Sequence, residues 1–385
     1  MPTSPILICG SGPAGLMAAS VAARAGYPVE IFERRPGPGW KLLVAGSSGL
    51  NVTHEAPDLA AFYPERRAEL ARVLARFGKD EWISFLHELG EETYVGTSRR
   101  YFVKNFKASS LLKAWTERLS QAGVKFHYGR EFANLLPEGA GVRFTDGSEA
   151  RGAASVLALG GPSWEEHPSA WPKWFQTEGF AFKDFQPSNA GWSFRAPEGF
   201  FARAEGKPIK GLTLTTKLGS KTGELMITRY GLEGTPVYTL GTPGTAHVDL
   251  KPDLAEEKLS SRLQPFRGGP AEKLRGAKLS EGAALFFEAL APAEAWESPA
   301  NLARALKNLS VEFLSPRALK ECISARGGLS FDELSEALEL RRMPGVFCAG
   351  EMLDWDAPTG GFLLQASVST GFVAGTSAVQ FAARR

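Results

Sequence analysis

A glycine-rich turn near the start of the chain carries its most specific chemical pattern. Gly10, Gly12 and Gly15 follow the spacing G-x-G-x-x-G, directly after the apolar run Ile6–Cys9 and at the start of an alanine-rich segment. In this pattern the glycines allow a tight turn, a close approach of the backbone to a pyrophosphate, and close packing of helix on strand. Free N–H groups at the start of the helix then favour the phosphate charge.

An acidic residue completes the pattern. Glu33 follows the apolar run Val29–Phe32 and can accept hydrogen bonds from ribose hydroxyls. The chain therefore predicts a site for adenosine diphosphate, and its predicted contacts near the N-terminus are Gly10, Gly12, Pro13, Ala14, Gly15, Glu33 and Arg34. The alternative, a glycine turn beside a solvated acid, is less favoured because strand, turn, helix and acid occur in the required order. FAD and NAD both contain this group, so the turn does not choose between them.

A second glycine pattern near the C-terminus favours a flavin. Gly350 and Glu351 follow a short apolar strand, and Gly360 and Gly361 precede a long apolar segment that begins at Phe362. A glycine at a strand end lets the backbone approach a phosphate, and the adjacent carboxylate suits ribityl hydroxyls. The N-terminus of the last helix suits negative charge on the N1/C2 side of a reduced flavin. The alternative is a strand-end turn with a solvated acid.

Several further blocks make the chain resemble a known family. The blocks are Lys41–Thr53, Lys107–Trp115, Thr228–Gly234, Gly350–Asp356 and Thr359–Phe362. Together they resemble the HI0933-like flavoproteins, NAD(P)/FAD-dependent oxidoreductases, and especially their shorter bacterial branch. The resemblance implies an α/β fold with a discontinuous, glutathione-reductase-like Rossmann FAD-binding domain, tightly bound FAD, and NAD(P)H as a transient co-substrate. To the predicted cofactor contacts we add Lys41, Gly46, Asn51, Gly160 and Asp356.

The candidate catalytic residues are Arg229 and Tyr230. A flavin supplies the hydride chemistry, so no nucleophile is required, and neither a nucleophile motif nor metal-spaced histidines are present in the sequence. Reduction of a C=C bond also needs a proton, and the Thr-Arg-Tyr-Gly turn lies in a β-rich segment expected to face the flavin domain. The alternative is a packed tyrosine beside a surface arginine. Asp354 and Asp356 could orient groups near the flavin or cap a turn.

The predicted reaction is hydride transfer from NAD(P)H through FAD to an activated C=C bond. The resemblance implies substrates such as steroid-like enones or a uracil in ribosomal RNA. A basic cluster, Arg99, Arg100, Lys104 and Lys107, is interleaved with aromatic residues that include Phe106. It is either a docking patch for an NADPH phosphate or RNA, or a solvated face, which we favour. The rival function is an RNA-modification or assembly module in which FAD is structural.

Composition bounds the class of protein. The chain has 385 residues, 43% of them hydrophobic, and a formal net charge of +2, so it has enough apolar residues for a core and no strong overall pull toward nucleic acid or membrane. Cys9, Cys322 and Cys348 are far apart, which argues against disulfides and a zinc site and favours a reducing compartment. No uninterrupted apolar run approaches the length of a membrane span. We therefore expect a cytoplasmic protein without metal or membrane contact, and the sequence does not determine its oligomeric state.

The predicted elements divide the chain into four segments. Residues 1–188 and 318–385 form the FAD-binding domain, 189–252 a β-rich insert on the substrate side, and 253–317 a helical insert. The ligand is expected between the flavin domain and the inserts. Within the first segment, residues 41–53 are predicted as a loop and 59–77, 81–89 and 108–121 as helices, and the final helix is predicted over 362–383.

Overall fold

A computed structural model describes residues 4–46, 49–105, 107–137, 140–266 and 268–384. The chain divides into two compact units. The first contains Met1–Gln186 and Ala325–Arg385, and the second contains Pro187–Ser324. The first unit is thus discontinuous in sequence.

The strands of the described residues are numbered in chain order: β1 (Ile6–Cys9), β2 (Val29–Glu33), β3 (Asn51–His54), β4 (Thr93–Val95), β5 (Arg100–Val103), β6 (Lys125–Tyr128), β7 (Phe132–Leu135), β8 (Gly141–Phe144), β9 (Glu149–Arg151), β10 (Ala154–Leu157), β11 (Phe182–Ser188), β12 (Trp192–Phe194), β13 (Pro208–Thr216), β14 (Gly219–Thr228), β15 (Gly231–Glu233), β16 (Gly244–Asp249), β17 (Leu309–Pro316), β18 (Ser324–Leu329) and β19 (Val346–Cys348).

The α-helices are α1 (Pro13–Arg24), α2 (Trp40–Ala45), α3 (Arg67–Arg76), α4 (Lys79–Glu88), α5 (Ala108–Gln121), α6 (Trp171–Thr177), α7 (Phe200–Ala204), α8 (Thr235–Leu240), α9 (Glu256–Leu263), α10 (Pro270–Ala277), α11 (Glu281–Leu290), α12 (Pro299–Lys307) and α13 (Phe362–Ala382).

A parallel sheet forms the centre of the first unit. Its strand order is β19-β10-β1-β2-β6, and every neighbouring pair is parallel. Side chains alternate between the two faces of a strand, so Ile6 and Ile8 join one hydrophobic cluster and Leu7 and Cys9 join the other. Because both faces are covered, β1 is buried along its whole length, which explains its continuous apolar sequence.

Helices α1 and α13 pack closely on one face of this sheet. A Cβ atom added to Gly371 would lie 2.2 Å from the Ala14 carbonyl oxygen, and one added to Gly375 would lie 2.8 Å from Cα of Ala18. Only glycine permits this approach of the two backbones. The packing brings the first and the last helix of the chain together, and both begin at a predicted glycine motif.

Smaller antiparallel sheets extend the first unit. The order β3-β5-β4 forms one and the order β7-β8-β9 forms a second. A separate two-stranded sheet consists of β11 and β18. The hairpin between β8 and β9 turns at Asp146 and Gly147, a residue pair typical of tight hairpin turns, with Gly147 at φ 84°.

The second unit contains a closed barrel with the strand order β12-β15-β14-β13-β16-β17. All six pairings are antiparallel. Helix α11 packs on β13 and β17, and α12 packs on β16 and α9. One hydrophobic cluster joins barrel and helices, so the β-rich and helical segments share a core.

The structure differs from the sequence predictions in three segments. The predicted loop 41–53 contains α2 and β3, and its residues 47 and 48 lie outside the described part. The predicted helix 59–77 begins as two short 3₁₀ turns, because Pro64 has no N–H to continue a helical ladder, and becomes α-helical only at Arg67. The predicted helical insert 253–317 ends with strand β17, whose alternating burial matches a barrel strand.

Helix α13 is long and apolar enough to cross a bilayer. The sequence did not predict this, because polar residues interrupt its apolar run. In its most apolar 18-residue window, 72% of the residues are buried inside the protein. Its neighbours include α1, α3 and α4 and the strands β3, β10 and β19. It therefore has the environment of a core helix, whose apolar surface is covered by protein.

Candidate functional site

The three glycines of the first turn meet different surroundings. A Cβ added to Gly10, whose φ is 103°, would lie 2.2 Å from the Ala158 carbonyl oxygen, and one added to Gly15 would lie 1.9 Å from the Gly10 carbonyl oxygen. These two positions are fixed by close contacts inside the protein. Around a Cβ added to Gly12, by contrast, no atom of the residues that the structure describes lies within 4 Å. Packing therefore does not require glycine at position 12, and open space lies beside it.

The open space lies at the N-terminus of α1. Gly12 precedes the helix with extended backbone and has no side chain to cap it, Pro13 is the first helical residue, and the first turn contains no acidic residue. The N–H groups that begin a helix need acceptors from elsewhere. A phosphate group is a suitable acceptor, and the helix dipole favours its charge.

Glu33 is hydrogen-bonded within the protein. Its Oε2 accepts from the backbone N of Ser11 at 3.0 Å and from Ser11 Oγ at 2.5 Å, and its Oε1 accepts from the N of Arg35 at 2.9 Å. Glu33 therefore holds the glycine turn against the end of β2. The sequence predicted only a contact of Glu33 with ribose and not this structural role. Arg34 forms an ion pair with the buried Glu165.

A second group of predicted residues surrounds Lys41. Its Nζ donates to the carbonyl oxygen of Gly161, lies 3.2 Å from Ser163 Oγ and lies 3.4 Å from Glu351 Oε2. A Cβ added to Gly161 would be 3.4 Å from the Glu351 carbonyl oxygen. The fold thus brings Lys41 and Glu351, which are 310 positions apart, together at the carboxyl ends of the sheet strands.

Gly350 joins this group to the first turn. It has φ 82°, and a Cβ added to it would lie 2.9 Å from the Cβ of Ala14, in the first turn of α1. Its N–H donates to Thr370 Oγ1 at 2.9 Å, and its carbonyl oxygen accepts from Trp355 Nε1 at 3.0 Å. The two glycine motifs predicted from opposite ends of the chain are therefore in contact.

Gly46 and Gly160 have contrasting surroundings. A Cβ added to Gly46 would lie 2.3 Å from the Cβ of Ala108, so the packing of α2 on α5 already explains that glycine. Gly160 has φ 74°, and no atom from the described part of the chain lies within 4 Å of a Cβ added there. Gly160 resembles Gly12 in facing open space, and its left-handed backbone also favours glycine.

The start of α13 forms another part of the candidate site. Gly360 and Gly361 have φ values of 122° and 96°, and a Cβ added to Gly361 would lie 2.6 Å from the backbone N of Thr53. Phe362 is buried, and its ring stacks on His54 and Phe62 with centroids 5.0 and 4.1 Å apart. Strand β3 therefore runs against the glycine pair.

Buried polar atoms that have no hydrogen-bond partner among the described residues lie on these elements. They include Asn51 Oδ1 and Thr53 Oγ1 on β3 and Gln365 Oε1 in the first turns of α13. Thr53 and Gln365 have no exposed surface. Such atoms are costly to leave unpaired, and a bound group with N–H and carbonyl functions would satisfy them.

Sequence reasoning named Arg100 only as a member of the basic cluster and did not name His54 as a site residue. They face each other in the register of β3 and β5, and Arg100 Nε is 3.0 Å from the position of a Cβ added to Gly360. Burial and the charges of Arg100 and Arg99 lower the pKa of His54, and burial lowers the pKa of Arg100. The sequence shows only adjacent arginines, because the strand pairing that brings Arg100 to Gly360 is tertiary.

Asp354 and Asp356 have contacts within the protein. The Asp354 side chain is 4% exposed and lies 2.5 Å from Arg66 Nη2 and 3.0 Å from Lys183 Nζ. Asp356 Oδ1 accepts from the N–H of Ala357 at 2.9 Å, which is the turn-capping alternative for this residue. Asp354 is thus an ion-paired residue of the first unit.

The predicted catalytic pair lies in the second unit. Arg229 is exposed, whereas the Tyr230 hydroxyl donates to Glu233 Oε1 and the Tyr238 hydroxyl donates to Glu233 Oε2. Burial and the contact with Glu233 raise the pKa of both tyrosines well above 10.0. The Arg317 guanidinium carbon lies 3.9 Å from the centre of the Tyr230 ring. Sequence reasoning missed Glu233, although its place three residues after Tyr230 was visible.

Half of the basic cluster is neutralised by acidic neighbours. Arg99 Nε lies 3.8 Å from Glu55 Oε2, and Lys104 Nζ lies 2.6 Å from Glu92 Oε2. Phe106 lies outside the described residues. Pairing weakens the field that a phosphate backbone would encounter here.

The residues of the first unit fit FAD. Gly12 and the start of α1 offer space and N–H groups for the pyrophosphate, and Gly350, the neighbour of Glu351, packs against Ala14 in the first turn of that helix. The unpaired acceptor Asn51 Oδ1 suits an N–H group such as that of an isoalloxazine ring, and the start of α13 suits its electron-rich carbonyl side.

Comparison with known sequences shows which family has this arrangement. The profile of the HI0933-like protein Rossmann domain matches residues 4–377. The chain belongs to the HI0933-like family. The match includes both glycine motifs and the whole second unit. The predicted resemblance to the HI0933-like flavoproteins and the predicted Rossmann-type α/β fold are confirmed.

Individual relatives are more distant. The chain is 26% identical to a 3-dehydro-bile acid delta(4,6)-reductase of Clostridium scindens, over 97% of this chain and 98% of that protein. It is 21% identical to the ribosomal RNA dihydrouridine synthase of Escherichia coli, over 93% and 94% of the two chains. Among solved structures, a flavocytochrome c3 fumarate reductase in its open conformation aligns with a TM-score of 0.55 and 16% identity, over 99% of this chain and 79% of that one.

These findings support a flavoprotein oxidoreductase. The electron donor, the substrate and the individual site residues remain predictions.

Proposed function

We propose that this protein is an FAD-dependent reductase that passes a hydride from NAD(P)H through FAD to an activated C=C bond. The hydride and a proton add across the double bond, which becomes saturated while NAD(P)H is oxidised to NAD(P)⁺. The observation that carries the proposal is the contact between Gly350 and Ala14, which joins two phosphate-type glycine motifs beside the open space at Gly12. A protein that bound only NAD would not need the second motif.

The residues of the first unit would hold FAD. The start of α1 and Gly12 would bind the pyrophosphate, Glu351 the ribityl hydroxyls, and Asn51 with the start of α13 the ring. When bound, FAD supplies the ability to accept and donate a hydride. Lys41 orients Glu351 through their ion pair and thereby positions its carboxylate.

The first experiment is a spectrum of the purified protein followed by anaerobic reduction. We expect a flavin absorption spectrum, bleaching by NADPH or NADH, and recovery of the colour on addition of an enone acceptor. The enone is chosen because the Clostridium scindens relative is named as a reductase of 3-dehydro-bile acids. A colourless protein that FAD cannot reconstitute would refute the proposal.

We propose Tyr230 as the proton donor, with Arg229 beside it. The hydroxyl of Tyr230 is bonded to Glu233, which can return a proton after each turnover. Its raised pKa keeps the phenol protonated, so we expect no loss of rate near pH 10, where an ordinary tyrosine ionises.

Tyr238 provides a matched control for Tyr230, because both hydroxyls donate to the same carboxylate. Tyr230→Phe should slow reoxidation of the reduced flavin by the enone about 10²- to 10⁴-fold. Tyr238→Phe should leave that step within a few fold, and reduction by NAD(P)H should be unchanged in both variants. Stopped-flow absorbance separates the two half-reactions, and equal effects of both substitutions on reoxidation would contradict the assignment.

The RNA-directed alternative makes a different prediction. The Escherichia coli relative is named as a ribosomal RNA dihydrouridine synthase, so a base in RNA is a second substrate class. Salt-dependent RNA binding without oxidation of NAD(P)H would favour a module in which FAD is structural. The acidic partners of Arg99 and Lys104 weaken this alternative. We retain the cytoplasm as the proposed location.

A further inference from the structure

Arg317 lies on the ring of Tyr230 in the second unit. Its guanidinium carbon is 3.9 Å from the centre of that ring. The side chain of Arg317 is 26% exposed, and its Nε is buried and has no hydrogen-bond partner among the residues that the structure describes. A guanidinium is attracted to the face of an aromatic ring, and more strongly where water is excluded. The contact with Tyr230 is therefore partly shielded from water.

Contacts away from Tyr230 hold Arg317 in place. Arg317 directly follows β17, and its backbone N–H donates to the carbonyl oxygen of Gly191 at 2.8 Å. Its Nη2 forms an ion pair with Glu321, four residues further along the chain. Because Gly191 precedes β12, which pairs with both β15 and β17, the barrel itself sets the position of the guanidinium.

The hydroxyl end of Tyr230 is held by Glu233. The Tyr230 hydroxyl donates to Glu233 Oε1, and the Tyr238 hydroxyl donates to Oε2 of the same carboxylate. A Cβ added to Gly191 would lie 2.6 Å from Glu233 Oε1, so the carboxylate is close to the backbone that binds Arg317. No guanidinium lies over the ring of Tyr238 in the described part of the second unit. The two tyrosines thus share an acceptor, but only Tyr230 also contacts a cation.

The charged neighbours of Tyr230 act on its proton in opposite directions. Burial raises the pKa of Tyr230, and the bond with Glu233 raises it further. A hydrogen bond with Thr228 and the charge of Arg317 lower this pKa. When Tyr230 gives its proton to a substrate carbon, a phenolate remains beside the carboxylate of Glu233. Two negative charges in contact repel each other, and a cation on the ring reduces that repulsion.

We propose that Arg317 is a positioning residue that holds the ring of Tyr230 and stabilises the phenolate formed when Tyr230 protonates the substrate. This proposal rests on the proposed function, in which a hydride and a proton add across the C=C bond. The O–H bond of Tyr230 breaks as the new C–H bond forms, and the phenolate then recovers a proton from water through Glu233. Arg317 neither gives nor takes the proton, because a guanidinium keeps its charge in proteins.

The test compares Arg317→Gln with the matched control Arg195→Gln, which removes the same charge from β12 in the same unit. The side chain of Arg195 is 73% exposed and pairs with Glu312. Arg317→Lys is the rescue variant, since it retains the charge but loses the planar guanidinium. Circular dichroism and urea unfolding first establish that each variant folds. If Arg317→Gln does not fold, Arg317→Met takes its place, because it keeps an apolar stem without the charge.

The first measurement is the carbon NMR signal of the Tyr230 Cζ atom, in protein whose tyrosines carry an isotope label there. Loss of the signal in Tyr230→Phe assigns it, and recording it requires neither flavin nor turnover. We expect the signal to shift in Arg317→Gln and to stay in place in Arg195→Gln, because only the former removes a charge from the face of the ring. An unchanged signal in Arg317→Gln would overturn the proposal.

The second measurement is a double-mutant cycle on reoxidation of the reduced flavin by the enone. Arg317→Gln alone should slow this step about tenfold, as expected for the loss of one shielded cation–π contact. Its solvent deuterium isotope effect should rise, because proton transfer then limits the rate more strongly. In Tyr230→Phe the same substitution should change the rate less than about twofold, because Arg317 acts through that hydroxyl. Reduction by NAD(P)H should be unchanged, and Arg317→Lys should recover part of the rate.

The outcomes separate this proposal from the proposed function. Equal slowing by Arg317→Gln with and without the Tyr230 hydroxyl would overturn the positioning role, and so would equal signal shifts in Arg317→Gln and Arg195→Gln. If Tyr230→Phe does not slow reoxidation, Tyr230 is not the proton donor, and if the protein binds no flavin, the proposed function as a whole fails. In both of these cases the NMR signal still decides whether Arg317 holds the ring of Tyr230.

Discussion

Replacing Gly12 by alanine should weaken FAD binding while leaving the flavin-free chain almost as stable as before. Gly12 has φ −73° and ψ 179°, which alanine adopts readily, and a Cβ there meets no atom of the described residues within 4 Å. Alanine in place of glycine reduces the conformational entropy of the unfolded chain, which stabilises the folded protein by about 0.4–1 kcal/mol. Alanine is a poorer residue than glycine before a helix by up to about 1 kcal/mol, which opposes this gain. The net change in the free energy of unfolding should stay within about 1 kcal/mol.

The effect on FAD follows from the same open space. A methyl group at position 12 occupies the approach to the N-terminus of α1, where a phosphate would accept from backbone N–H groups. Loss of one hydrogen bond to a charged group costs about 1.5–3 kcal/mol. At 1.4 kcal/mol per tenfold change, the dissociation constant should rise about ten- to hundredfold.

Gly15→Ala provides the contrasting variant. Its Cβ would lie 1.9 Å from the Gly10 carbonyl oxygen, a backbone atom that cannot move without distorting the turn. We expect a loss of about 1–3 kcal/mol or more of stability. Urea unfolding of the flavin-free proteins and titration of flavin fluorescence measure the two quantities separately. Wild-type FAD affinity in Gly12→Ala, or a loss of stability equal to that of Gly15→Ala, would refute the reasoning.

Three further predictions concern buried groups. The pKa of His54 is lowered, chiefly by burial and then by the charges of Arg100 and Arg99. Just below pH 6.5 the unfolded chain therefore binds a proton at His54 that the folded chain does not. The free energy of unfolding should fall as the pH drops through this range. His54→Gln should remove that part of the slope in urea titrations between about pH 5 and 7.5, and an unchanged slope would contradict it. Burial raises the pKa of the Cys9 thiol to about 12 and that of the Cys348 thiol further. At about pH 8 iodoacetamide should therefore label either thiol only as fast as the native protein unfolds. Faster labelling, located by peptide mass spectrometry, would contradict this prediction. Asp354→Asn should lower the free energy of unfolding by about 3 kcal/mol. This is near the lower end for a broken buried ion pair, because the partners Arg66 and Lys183 keep some contact with solvent. A change below about 1 kcal/mol would show that these ion pairs do not stabilise the fold.

Local sequence determined much of the first unit. Strand β1 and helix α5 agree with the predictions because each depends on neighbours a few residues away: an apolar run for β1, and a helical period closed by Gly123 for α5. The short helix α2 was missed because Gly37, Gly39 and the prolines around them indicate irregular structure, while the packing of α2 on α5 stabilises a helix there.

The functional residues divide in the same way. The sequence by itself determined the two glycine motifs, because their conformational demands are local and only glycine meets them. It did not show that Gly46 is explained by packing on Ala108, or that Glu33 is bonded to Ser11. Only the tertiary structure decided how these polar groups are paired: Asp354 lies beside Arg66, Lys104 beside Glu92, and Glu233 beside two tyrosines. Arg100 lies beside Gly360, with no acidic partner among the residues that the structure describes. The physical reason is that charge compensation depends on distances between residues far apart in the chain, and the folded backbone alone sets those distances.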